Sequence, residues 1–186
     1  MNIIVYCGAG SGNDPIYQQA TERFGEWIAE NKHTLVYGGG KAGLMGTIAD
    51  SVLSNNGKAI GVIPTFLIER ELAHPSLTEM HVVQSMSERK QKMLDLGDAC
   101  VALPGGPGTL EEITEMISWA RVGQNANPCV LFNEKGFYDP LKNLYDSMVE
   151  NNFLTSEDRN KTLFSNSLTE IEQFIRNYTP PLIRKY

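Results

Sequence analysis

Apolar residues along this chain recur in two rhythms. Short unbroken runs at 3–7, 34–37, 59–63, 98–103 and 128–132 read as strands buried on both faces, with a shorter one at 80–83. Between them apolar positions recur every three to four residues. Ile16, Ala20, Phe24, Trp27 and Ile28 form one helical face, with Asp14 placed as N-cap and Pro15 at the first helical position. The spacing predicts further helices over 44–53 and 85–96, from Thr109 onward, from Asp139-Pro140 with Leu141, Leu144, Tyr145 and Met148 on one side, and around 171–175. Residues 65–76 carry Pro75 and several charges and read as irregular; Leu163-Phe164 make a short apolar stretch in the tail.

Strands alternating with helices predict an α/β fold: a doubly wound, Rossmann-like parallel sheet with helices on both faces, one domain over 1–186. Such sheets bind ligands beyond the carboxyl ends of their strands. Three glycine clusters, at 8–12, 38–40 and 105–108, follow predicted strands and would line that edge, as a phosphate-bearing ligand requires.

Composition narrows the ligand. With 16 basic and 22 acidic side chains, a net charge of −6 argues against a nucleic-acid surface while leaving room for a small anion. Three cysteines, Cys7, Cys100 and Cys129, lie in or at the end of apolar runs without a CxxC pair and read as buried thiols of a reducing compartment. The first six residues are too short for a signal h-region, no run reaches membrane-spanning length, and a cytoplasmic protein is expected. His33, His74 and His81 have no ligand spacing, so no metal is expected, and no cofactor is expected either.

The familiar motifs fail on inspection. The first glycine loop has Asn13 where a dinucleotide fingerprint needs Gly or Ala, and Tyr37-Gly38-Gly39-Gly40 replaces the ribose-binding carboxylate. Gly40-Lys41 is followed by Ala42, not the Ser or Thr of a P-loop. Ser87-Glu88-Arg89-Lys90 has acyl-enzyme spacing but lacks the companion motifs.

What remains is the stretch from Leu103 to Glu112. Here a strand gives way to glycines and then to a helix, with Thr109 as its expected N-cap and Glu112 at capping-box spacing. Helical phase places Leu110, Ile113, Ile117 and Ala120 toward the sheet, Glu111, Glu115 and Ser118 on a polar sector, and Glu112 between Met116 and Trp119 on a semi-apolar flank. Arg89 shares a stripe with Met86, Met93 and Leu96, so its guanidinium reaches along a buried or interfacial surface. An arginine before this strand and a glutamate after it could meet at the strand's carboxyl end.

Pro104-Gly105-Gly106-Pro107-Gly108-Thr109-Leu110-Glu111-Glu112 resembles the PGGxGTxxE signature of the LONELY GUY (LOG) family. Tyr37-Gly38-Gly39-Gly40 with Gly43-Leu44-Met45-Gly46, and Met86-Ser87-Glu88-Arg89-Lys90, are similar to two further segments of that family, so the resemblance covers nearly the whole chain. It implies a phosphoribohydrolase that cleaves the N-glycosidic bond of a purine nucleoside 5′-monophosphate, such as AMP or isopentenyladenosine monophosphate, to free base and ribose 5-phosphate. It places the catalytic pair on Arg89 and Glu112, and substrate contacts on Glu71, Arg89, Lys90, the loop residues Gly105, Gly106, Gly108 and Thr109, Glu112 and Ser118. It also implies a homodimer. Ser87, Pro107 and Ser118 depart from commoner family residues and bear on substrate preference. Relatives have been labelled lysine decarboxylases, but no lysine here sits in a recognisable pyridoxal phosphate setting.

In this reading the 5′-phosphate sits on the N–H groups of Gly106, Gly108 and Thr109, and Glu112 stabilises an oxocarbenium-like sugar and orients or deprotonates water. Arg89 either holds Glu112 ionised and in place or binds the ribose or phosphate. The alternative is a non-catalytic nucleotide or cofactor carrier resembling molybdenum-cofactor carrier proteins, which needs the glycine loops but not the Arg89 and Glu112 pair.

Overall fold

The computed structural model describes residues 1–71 and 73–183, the side chains at 69 and 71 excepted. In chain order the elements are β1 (Asn2–Tyr6), α1 (Pro15–Glu30), β2 (Thr34–Tyr37), α2 (Gly43–Ser54), β3 (Lys58–Pro64) and α3 (Thr65–Glu71). There follow β4 (Glu79–Val83), α4 (Met86–Leu96), β5 (Ala99–Ala102), α5 (Pro107–Arg121) and β6 (Cys129–Phe132). A 3-10 turn at Glu134–Gly136 leads into α6 (Asp139–Glu150), α7 (Ser156–Arg159), β7 (Thr162–Ser165) and α8 (Leu168–Arg176).

The seven strands form one sheet in the order β4-β3-β2-β1-β5-β6-β7, every neighbouring pair parallel. The doubly wound, Rossmann-like fold class is therefore present, and the winding reverses between β1 and β5. Alternation along β1 divides the core. Ile3 and Val5 pack with Phe24, Ile28, Ile48 and Ile171 on the face covered by α1, α2 and α8. Ile4 and Tyr6 pack with Met93, Ile113, Met116 and Tyr138 on the face covered by α4, α5 and α6. Every residue of β5 and β6 is buried, because helices close both sides, and this is why these strands are unbroken apolar runs. Each fully buried Ile, Leu or Phe side chain contributes about 1.5–3 kcal/mol relative to exposure.

The start of α1 is as read from sequence: the Asp14 carboxylate accepts from the Ile16 N–H and Pro15 stands in the first turn. Three readings change. Residues 65–71, expected to be irregular, form α3, whose seven residues are too few to display a helical period. The 3-10 turn and α7 carry no apolar period either; α7 is marked only by Thr155, whose hydroxyl accepts from the Asp158 N–H. The apolar stripe of α6 is not sealed: no residue of that helix is fully buried, and Leu144 is 53% exposed. Among the described residues no helix is long and apolar enough to cross a membrane.

Candidate active site

The loops after β1, β2 and β5 meet at the carboxyl edge of the sheet, as the glycine clusters predicted. At the reversal point they are joined through their backbones. The Gly8 N–H donates to the Pro104 carbonyl at 3.1 Å, and the Met45 N–H donates to the Gly8 carbonyl at 3.3 Å. Gly105 is a glycine because of this approach: a Cβ there would overlap the Thr109 side chain and stand 2.9 Å from the Gly8 nitrogen.

The helix that follows starts earlier than its sequence suggests. Its N-cap is Gly106 and Pro107 occupies its first turn, so Thr109 lies inside α5 and is buried, not at the cap. Proline at that position presets a helical φ and lacks only an N–H that would have had no helical partner, which overrides the capping-box pattern. No side chain caps this end. A Cβ on Gly106 or Gly108 would meet nothing within 4 Å, so neither glycine is demanded by protein packing, and both border open space.

One open cleft, of about 740 Å³, is lined by Cys7, Gly8, Ala9, Met45, Leu67 and Met86 together with Arg89, Gly106, Gly108, Thr109, Glu111 and Glu112. Thus the structure brings Arg89, Glu112 and the glycine loop together. Arg89 is buried, with 6% exposure, and its guanidinium is anchored to main chain: Nε donates to the Val62 carbonyl at 3.0 Å and Nη2 to the Gly38 carbonyl at 2.8 Å. Nη1 lies 3.8 Å from Met86 Sδ at the cleft wall. Glu112 is half-buried on the flank of α5. The helix buries Thr109, Ile113, Met116, Ile117 and Ala120. Leu110, expected to face the sheet, is 42% exposed, since it falls at the far edge of that buried arc, whereas Met116 lies within it.

Three other predicted contacts stand elsewhere. Lys90 spans α4 and α5, its Nζ 2.5 Å from Glu111 and 2.8 Å from Glu115. Burial works against its charge, but the hydrogen bonds to the two carboxylates prevail and its pKa is raised. Ser118 is exposed and borders a separate hollow with Thr114, Arg121 and Tyr145. Six residues of α-helix turn it well away from the Glu112 flank. Glu71 ends α3, and its side chain lies outside the described residues.

The sequence carried little signal for the cleft's other walls. Cys7, Met45, Leu67 and Met86 are ordinary apolar positions, and the carbonyls of Gly38 and Val62 are invisible in side-chain chemistry. Burial pushes the Cys7 thiol far above its ordinary range; the charge of Glu112 adds to this and Arg89 opposes it. The thiol therefore stays protonated and is no nucleophile. Burial likewise raises the Tyr6 phenol, with Cys100 and then Glu112 adding to it.

Glycine at 108 sits in the first turn of α5 with open space around it. Gly108→Ala is expected to raise stability by up to about 1 kcal/mol through helix propensity. If the cradle holds a ligand, the same methyl group will weaken ligand binding. Chemical denaturation and a titration with nucleoside monophosphate check the two effects together; unchanged affinity would free this position from any contact.

Residues 45–174 match the family described as "possible lysine decarboxylase". A cytokinin riboside 5′-monophosphate phosphoribohydrolase of Rhodococcoides fascians is 43% identical over 163 residues, 87% of this chain and 82% of that protein. One from Oryza sativa subsp. japonica is 39% identical over 178 residues, covering 96% of this chain and 74% of its own. Among solved structures, the molybdenum cofactor carrier protein of Chlamydomonas reinhardtii superposes with a TM-score of 0.73 at 17% identity, covering 95% of this chain and 98% of that one. At that identity the likeness shows the fold alone.

Proposed function

Because this chain belongs to the LONELY GUY (LOG) family of cytokinin riboside 5′-monophosphate phosphoribohydrolases, we propose that it hydrolyses the N-glycosidic bond of purine nucleoside 5′-monophosphates, releasing free base and ribose 5-phosphate. The observation that carries the reading beyond kinship is the shared cleft. A buried arginine and a half-buried glutamate face a glycine loop at an uncapped helix start.

The chemistry follows from that arrangement. A phosphate seated at the start of α5 meets the N–H groups of Gly108 and Thr109 and the positive end of the helix dipole. Pro107 has no N–H to offer. As the bond to the base breaks, positive charge develops on C1′ and the ring oxygen, and the Glu112 carboxylate stabilises it. The same carboxylate orients the attacking water and takes its proton as the C1′ hydroxyl forms; the purine leaves with the electron pair of the broken bond and takes up a proton from solvent, and Glu112 returns its own to solvent. Arg89 supplies a fixed positive charge in the same cleft as this carboxylate. Its two carbonyl bonds support a positioning part more than a mobile phosphate clamp. Lys90 and Ser118 enter as contacts only if ligand binding releases the first from Glu111 and Glu115 and the second is brought to the cleft by another chain. The carrier alternative rests on fold likeness and is not favoured by any feature of the cleft.

The reading extends to a homodimer in a reducing, cytoplasmic setting. The exposed Leu110 on α5 beside the cleft supports the first, and three buried, unbridged cysteines support the second. Light scattering should return the mass of two chains; that of one would remove the dimer. Incubation with AMP and with isopentenyladenosine monophosphate, followed by chromatography, is expected to yield free base and ribose 5-phosphate from at least one. Tight binding of both without turnover would replace the hydrolase by a carrier.

A further inference from the structure

We propose that Gly38 is a positioning residue whose missing side chain makes room for Arg89, an inference that rests on the reading of Arg89 as part of the active site. Gly38 directly follows β2 and does not take up a left-handed conformation, unlike Gly39 with φ +77°. Its backbone therefore makes no demand for glycine. Space does. A Cβ at 38 would overlap Arg89 Nη2, stand 3.1 Å from Cζ and lie 3.3 Å from Met45 Sδ.

Neither partner in that collision can yield cheaply. Tyr37 pairs with Gly61 as the last rung between β2 and β3, so Gly38 and Val62 are the next positions along, and the guanidinium ties their two carbonyls together. Withdrawing it would leave buried carbonyls without a donor. The loop is pinned as well: the Tyr37 hydroxyl donates to the Gly40 carbonyl at 3.1 Å, the His74 N–H donates to the Gly39 carbonyl at 3.0 Å, and Gly40 bridges Ala73. A methyl group at 38 thus drives the guanidinium from its seat on the Gly38 and Val62 carbonyls and shifts it within the cleft that Glu112 also lines.

The test is a cycle of Gly38→Ala, Arg89→Ala and the double variant, read by turnover and by thermal midpoint. Gly38→Ala is expected to lower kcat by about 100-fold, the order of loss produced by an ångström of misplacement, with KM moving far less. It should lower the midpoint in the native background and by much less where Arg89 is already alanine, because the overlapping guanidinium is gone and only the 3.3 Å approach to Met45 Sδ is left. Wild-type turnover by Gly38→Ala, or an equal drop in midpoint in both backgrounds, overturns the proposal. If Gly38→Ala alone fails to fold, a folded double variant upholds the proposal, and an unfolded double variant beside a folded Arg89→Ala overturns it. Should no nucleotide be hydrolysed even by the native protein, the functional reading fails, yet the midpoint cycle still decides the packing claim.

Discussion

Glu112→Ala is expected to lower kcat by about 10²–10³-fold, the usual cost of removing one preorganised group that meets developing charge. The fold should survive, because Glu112 lies outside the arc of α5 that Thr109, Ile113, Met116, Ile117 and Ala120 bury. Glu112→Gln sharpens the result. It keeps the shape and removes the charge, so it should fall nearly as far if the carboxylate balances a cationic sugar and takes a proton from water. Steady-state release of base from AMP or isopentenyladenosine monophosphate, alongside a thermal melt, measures both. Native-like release by either variant would take Glu112 out of the mechanism.

Arg89 should behave differently, because it serves structure and chemistry together. Arg89→Ala is expected to lose turnover to a similar degree and also to destabilise the protein. The carbonyls of Gly38 and Val62 would lose their donors, and each buried acceptor left unpaired costs about 1–3 kcal/mol. Arg89→Lys should rescue little. An ammonium is a point charge on a flexible stem and cannot reproduce a planar fork that bonds the carbonyls of Gly38 and Val62 at once. Urea denaturation with the same base-release assay separates the two losses. If Arg89→Lys turns over at the native rate, a positive charge suffices and its fixed orientation does not matter.

Much of this arrangement was legible in the sequence, and the gaps have physical causes. The unbroken apolar runs of β5 and β6 announced a sheet covered on both faces, and Asp14-Pro15 announced the start of α1. Arg89 read as buried because it shares a stripe with Met93, and Met93 is in the core. The start of α5 escapes the sequence because Thr109 and Glu112 satisfy a cap pattern that Pro107 overrides two residues earlier. Residues 65–71 hid their helix by being short. What holds Arg89 could not be read at all: its partners are two main-chain carbonyls, 51 and 27 residues upstream. Ser118 is polar and close to Glu112 in the chain, yet helical geometry parts them.

The strand order has a mechanical corollary. Arg89 is fastened to β3 and to the residue that follows β2, while Glu112 rides on α5 beyond β5, so the two stand on opposite banks of the β1–β5 junction. That junction is a seam of four paired positions, from Ile3 with Ala99 to Tyr6 with Ala102, closed at the cleft by the bond from Gly8 to Pro104. The spacing of the two candidate catalytic groups is therefore set by the joint between the two halves of the sheet that carry them. A core change that lets one half of the sheet slide along the other would detune the cleft from a distance, with every residue lining it intact.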